Sequence, residues 1–255
     1  MYKQEINMAD SHQRYPNPTI AEAICDIRFR IKEWKLSLPG EFFKYIQDEY
    51  PEMEPISAIG LQLEFGPTGA GTKIIPQSQR VRFKHKNRAL ILQLAENNFT
   101  INTLSPYPGW ETVRKDALVA WQKLEAVLRP DAITRIGLRY INRFEKETER
   151  DYPGNWLTTT DYIPSGVLRS EPGFLSRTQV RFNTHDLLIV TLGDFKPNVG
   201  GGYGSIVFDI DRVTEQEVVS GLGSLEEELD RLHADVWEVF SSAEGQKLRD
   251  LLNRR

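Results

Sequence analysis

The sequence predicts an α+β fold, antiparallel sheet with helices on one face, and three observations predict it. Several stretches alternate apolar and charged residues with the period of two that strands impose. Two longer stretches instead repeat apolar residues every three or four positions, as amphipathic helices do. The order strand, helix, several strands, helix occurs twice. The chain therefore reads as two β-α-β(n)-α halves, residues 15–130 and 131–255, able to join into a saddle, behind a flexible polar arm at residues 1–14.

The first strand is expected from about Ala23 to Lys32, after the stiff segment Tyr15-Pro16-Asn17-Pro18. Cys25, Ile27, Phe29 and Ile31 share one face, and Asp26, Arg28, Arg30 and Lys32 the other. A helix from about Pro39 to Met53 follows, with proline in the first turn, where its missing N–H costs nothing. Phe42, Phe43, Tyr45, Ile46 and Tyr50 form its inner side, and Pro51 and Pro55 end it. Four strands are expected near 59–65, 80–86, 89–96 and 99–104, separated by Gly- and Asn-containing breaks. The second of them sets Arg80, Arg82, Lys84 and Lys86 against Val81, Phe83 and His85. A helix over 110–128 closes this half, with Trp110, Val113, Ala117, Trp121, Leu124 and Leu128 as its stripe and Pro130 as its stop.

The second half opens on a strand through Thr134–Phe144 that turns Arg135, Arg139 and Arg143 to one side and Ile136, Leu138, Tyr140 and Phe144 to the other. A segment over 155–168 shows no clear period, and strands near 176–184, 187–194 and 204–213 come after it. Arg177, Gln179, Arg181 and Asn183 share a face there. In the final helix Ser224 and Glu227 make a capping box, and Leu225, Leu229, Leu232, Val236 and Phe240 form the stripe. Ser241 and Glu244 start a second short helix that ends near Leu252.

With 255 residues, 40% hydrophobic and 27% charged, the composition is that of a globular protein. Its net charge of −4 excludes a generally polycationic chain and leaves open how charge is distributed. One cysteine excludes an internal disulfide, and no apolar run has membrane-spanning length, so a cytoplasmic protein without a membrane partner is expected.

The distribution of charge carries the functional expectation. Strand positions hold the candidate binding residues Arg28, Arg30, Arg80, Arg82, Lys84, Arg135, Arg139, Arg143, Arg177 and Arg181, with Asn142 lying between two of them in sequence. The terminal helix takes acid instead, as Glu226, Glu227, Glu228, Asp230, Asp235 and Glu238. A helix-free face lined this way would be a cationic trough for nucleic acid or a nucleotide, making the protein a non-enzymatic binding module. The competing reading is an ordinary wet sheet face whose Arg and Lys make local ion pairs.

Motifs for chemistry are weak. Gly66-Pro-Thr-Gly-Ala-Gly-Thr-Lys73 reverses the Lys–Thr order of a phosphate loop and precedes no helix, so it reads as a hairpin loop. Gly200-Gly-Gly-Tyr-Gly204 lacks dinucleotide spacing and reads as a flexible strand connection. His12, His85, His185 and His233 match no metal spacing, and Cys25 reads as core. Asp209 and Asp211 share a face, as a magnesium pair or as wet carboxylates beside Arg177 or Arg181. No catalytic residue, metal or cofactor is assigned. Two other functions stay open: a protein-interaction or oligomeric subunit acting through the terminal helix, and an enzyme using Asp209, Asp211 or Glu22 with arginine clamps.

Three blocks carry a resemblance: Tyr15-Pro-Asn-Pro-Thr-Ile-Ala-Glu-Ala-Ile-Cys-Asp-Ile-Arg-Phe29, Tyr107-Pro-Gly-Trp110, and Arg135-Ile-Gly-Leu-Arg-Tyr-Ile-Asn-Arg143. Over nearly its whole length the chain resembles a sporadically distributed prokaryotic family of unknown function, most specifically in Arg139-Tyr-Ile-Asn-Arg143. It departs from the family's Asn-Ala-Pro opening, since Asn17 directly precedes Pro18. The resemblance implies a prokaryotic protein of mobile or defence-associated loci and brings no catalytic residues. It singles out Glu22, Arg139, Asn142 and Arg143 as matching positions.

Overall fold

A computed structural model describes residues 15–56, 59–66, 69–76, 80–171, 173–195, 202–219 and 221–254, with the backbone alone for 59–66, 69–76 and 219. The expected arm at 1–14 lies outside the described residues, as do Gly200 and Gly201 of the glycine-rich segment at 200–204.

The first half runs β1 (Ile20–Arg30), α1 (Leu38–Ile46), β2 (Glu52–Ile56), β3 (Ile59–Gly66), β4 (Gly69–Pro76), β5 (Arg80–Lys84), β6 (Leu90–Ala95), β7 (Asn98–Leu104) and α2 (Trp110–Leu128). The second runs β8 (Ala132–Glu145), α3 (Pro153–Trp156), α4 (Ser165–Leu168), β9 (Leu175–Arg181), β10 (Asp186–Phe195), β11 (Ser205–Thr214), β12 (Val218–Val219), α5 (Leu222–Ser242) and α6 (Gln246–Leu252). All neighbours in the main sheet are antiparallel, in the order β2-β5-β6-β7-β1-β8-β11-β10-β9, with β12 beside the start of β8. Around the central β1–β8 pair the order is symmetric: β7, β6 and β5 step away on one side as β11, β10 and β9 do on the other. The two halves thus share one sheet.

They also share one core. Ile27, Phe99, Leu138 and Phe208 from the strands and Phe42, Trp121, Leu229 and Leu248 from the helices belong to a single buried cluster, so the helices lie on one face. Aromatic edges organise it, with the Phe42 ring edge-on to both Phe83 and Phe99 at 5.4 and 5.6 Å. The stripe Leu225, Leu229, Leu232, Val236 and Phe240 of α5 is buried in this cluster. That corrects the idea that it meets a partner: the chain's own sheet occupies it.

Four element expectations are also corrected. The first helix stops at Ile46 rather than Met53, and Glu52–Ile56 forms a strand through Pro55. Proline fits because β2 is the outermost strand, where one side of the backbone needs no ladder partner. The segment expected as a loop around Gly66–Lys73 is largely β3–β4 hairpin, with Gly66 facing Gly69. The aperiodic stretch at 155–168 holds two one-turn helices, α3 and α4. Finally, α5 begins at Leu222 with Gly221 as N-cap and no side-chain cap bond, because Leu222 packs on the core two residues before Ser224.

Two polar clusters tie the periphery to this frame. Lys146 and Asp194 form an ion pair at 3.0 Å in which both side chains are almost fully buried. Ahead of β1 the Tyr15 hydroxyl donates to Glu244 at 2.5 Å, its ring stacks on Trp237, and the Asn17 backbone N–H donates to the Leu252 carbonyl. Burial raises both the Tyr15 hydroxyl and the Glu244 carboxyl above their ordinary pKa.

Candidate functional site

Strand alternation places the predicted cations together on the helix-free face. One row across the sheet reads Arg82, Gln93, Thr100, Asp26, Gly137, Val213, Leu187, Arg181, each residue the register partner of the next. The adjoining row contains Ile24, Arg139, Asp211 and Ile189, and the next Glu22, Ile141, Asp209, Thr191 and Arg177. Arg28 stands beside Arg135, and Arg143 beside Val207.

Asn142 does not belong with them. It lies on the opposite side of β8, 2% exposed, where its carbonyl accepts from the Thr19 hydroxyl and its amide donates to the Phe208 carbonyl. It secures the start of β1, where the register shifts between Ile20 and Glu22. The family resemblance grouped Asn142 with Arg139 and Arg143, but its odd spacing from both along the strand turns it to the other face.

Most of the cations are held by carboxylates. Arg139 makes a bidentate pair with Asp209, Nε to Oδ1 at 2.8 Å and Nη2 to Oδ2 at 2.6 Å. Arg135 donates to Asp26, which also accepts from the Asn98 amide and the Thr100 hydroxyl. Lys84 binds Glu54 and Glu52 at 2.8 and 3.4 Å, and Arg82 reaches Glu54 at 4.0 Å. Arg30 is paired with Glu217 and Arg181 with Glu215. The uniform cationic trough expected from the strands is therefore a mixed-charge face, and the competing expectation of local ion pairs describes its centre.

Sequence reasoning missed these counter-ions for identifiable reasons. Glu52 and Glu54 sit on a strand disguised by two prolines, and Glu215 and Glu217 follow β11 in a segment without period. Asp209 was visible, but its partner is Arg139 rather than Arg177 or Arg181.

Among the described residues, three of the predicted guanidiniums are both exposed and little committed. Arg177 is exposed, meets no carboxylate among the described residues, and approaches only the Thr191 hydroxyl at 3.5 Å. Arg28 meets only one carboxylate among the described residues, Asp26 at 3.9 Å, and that carboxylate is already engaged. Arg143 uses Nε on Glu145 at 2.7 Å while its side chain is 53% exposed. Arg80 likewise has no ion pair among the described residues, but its Nε is buried without a partner.

Neutral polar groups complete the face. Gln93 donates to Asn102, and Asn102 to Glu22, at 3.0 and 2.6 Å. Asp211 accepts no hydrogen bond among the described residues, and burial raises its carboxyl above the usual range against the pull of Arg135 and Arg139. Among the described residues no group of three or more His, Cys, Asp or Glu could hold a metal ion, and no helix is long and apolar enough to cross a membrane.

No family model matches this chain, and no curated protein matches it.

Proposed function

We propose that the protein is a non-enzymatic module that binds nucleic acid on the helix-free face of its sheet. The observation that carries this reading is the set Arg28, Arg143 and Arg177, three guanidiniums on one face that still offer donors to an incoming phosphate. The paired arginines frame them, since a carboxylate uses at most two of the five N–H donors of a guanidinium. Size favours a polymer over a mononucleotide. Arg82 and Arg181 are seven strand spacings apart, about 34 Å at roughly 4.8 Å each, a span that only a chain of phosphates can bridge. A cytoplasmic setting and a role in a defence or toxin-control locus belong to the same proposal, and the second rests on the family resemblance.

Protein purified without nuclease should carry material absorbing at 260 nm. Arg28→Glu, Arg143→Glu and Arg177→Glu together should abolish that absorbance while circular dichroism stays unchanged, because none of the three serves a buried carboxylate alone. Undiminished nucleic acid in the triple variant would refute the reading.

A further inference from the structure

At the β9–β10–β11 end of the same face an aromatic ring lies open beside two of the available arginines. Phe195 closes β10 and is 51% exposed, unlike the buried strand rings Phe29, Phe83, Phe99, Phe144 and Phe208. Its ring folds back over Gly193: a Cβ on that glycine would stand 2.9 Å from the ring's Cε2 and 3.2 Å from Cδ1 of Leu175. Gly193 is therefore the position that lets the Phe195 ring and the Leu175 side chain settle against the sheet's backbone. Leu175, Gly193, Val207 and Arg143 form one cross-strand row, and Arg177 is two residues from Leu175 on the same side of β9. Tyr203, half exposed, stands two residues before Ser205, the register partner of Phe195.

An exposed ring on a sheet, with guanidiniums a strand or two away, is the arrangement that separates two kinds of contact with a nucleic acid. The ring offers a flat apolar surface to a base, and the arginines take the phosphates on either side. A duplex cannot use the ring, because its bases are stacked on one another. Charge complementarity with Arg143 and Arg177 favours this occupant over a purely apolar partner.

We propose that Phe195 is a base-stacking platform and that the ligand of this face is single-stranded nucleic acid, its phosphates held by Arg143 and Arg177. The inference rests on the nucleic-acid reading above and adds the strandedness and the stacking residue.

Fluorescence anisotropy with a labelled oligothymidylate and an abasic oligomer of equal length tests both levels. The wild-type protein should bind the thymidylate more tightly than the abasic strand or a duplex. Phe195→Ala should weaken thymidylate binding about tenfold and leave abasic binding unchanged, and Phe195→Tyr should restore it. If the wild-type protein holds both oligomers equally and Phe195→Ala changes neither, the stacking inference is wrong while the nucleic-acid reading survives. If neither oligomer nor the duplex binds, both are wrong. A dimer in light scattering that Phe195→Ala dissociates would assign the ring to a second copy of the chain and overturn the inference.

Discussion

The Arg135 guanidinium lies over the backbone of Gly137: a Cβ on that glycine would stand 3.5 Å from Nη1 and 3.7 Å from Nη2. Asp26 is the register partner of Gly137, so the arginine reaches its carboxylate across the one residue of β8 that offers no side chain. A methyl group at ordinary contact distance is tolerated, whereas a branched side chain must displace the guanidinium. Gly137→Ala should stay within about 1 kcal/mol of wild type, and Gly137→Val should lose about 2 kcal/mol with the charged hydrogen bond. Urea midpoints measure both, and a Val variant as stable as wild type would show that the Arg135–Asp26 contact does not matter.

Asp211 gives the face a pH dependence of known sign. Burial raises its folded carboxyl above the unfolded value of about 3.9. Between those two values the native state holds more protons than the unfolded chain, so this group's contribution to stability falls as pH rises, and above the folded value the whole cost is present. Arg135 and Arg139 moderate the cost, and Asp209 and Asp26 add to it. Asp211→Asn should raise the Tm at neutral pH, with the difference vanishing below the unfolded value. A lower Tm for the variant at neutral pH would mean that the carboxylate serves the arginines more than burial penalises it.

The buried pair Lys146–Asp194 predicts a non-additive double mutant. Removing one partner strands a charge in the core and should cost about 3–5 kcal/mol, whereas replacing both with apolar residues can be close to neutral. Lys146→Met should therefore destabilise strongly, and Lys146→Met with Asp194→Leu should recover most of the loss. Denaturation midpoints of the two single variants and the double variant decide it, and a double variant as poor as the sum of the singles would contradict the buried-pair account.

Much of this fold was legible because its signals are local. The two-residue period of Cys25, Ile27 and Phe29 and the helical stripe from Val113 to Leu128 each describe one element against one core, and both lie where the pattern puts them. The common face of Arg82, Arg139 and Arg181 was legible for the same reason, since alternation needs no knowledge of neighbours. What escaped depends on pairing between distant segments. Whether Arg139 faces solvent or Asp209 is decided by the β8–β11 register, and Glu52 and Glu54 reach Lys84 only because β2 adds to the sheet edge. Phe195 escaped because its exposure follows from Gly193 beneath it and from its place at a strand end.

Salt dependence separates the arginines that hold ligand from those that hold the protein. Each phosphate contact on a single strand contributes about 0.7 to the slope of log affinity against log salt, through released counterions. Arg177 has no carboxylate among the described residues, so Arg177→Ala should lower the slope by about 0.7 and leave the urea midpoint unchanged. Arg139 differs, since both nitrogens that face Asp209 are engaged and that carboxylate is buried beneath it. Arg139→Ala should cost about 3 kcal/mol of stability or more, as expected for a buried charge deprived of its partner, and its slope should change less than that of Arg177→Ala. Anisotropy titrations over a salt series, paired with urea midpoints, give both quantities for each variant. Equal slopes in wild type and Arg177→Ala would remove Arg177 from the phosphate contacts.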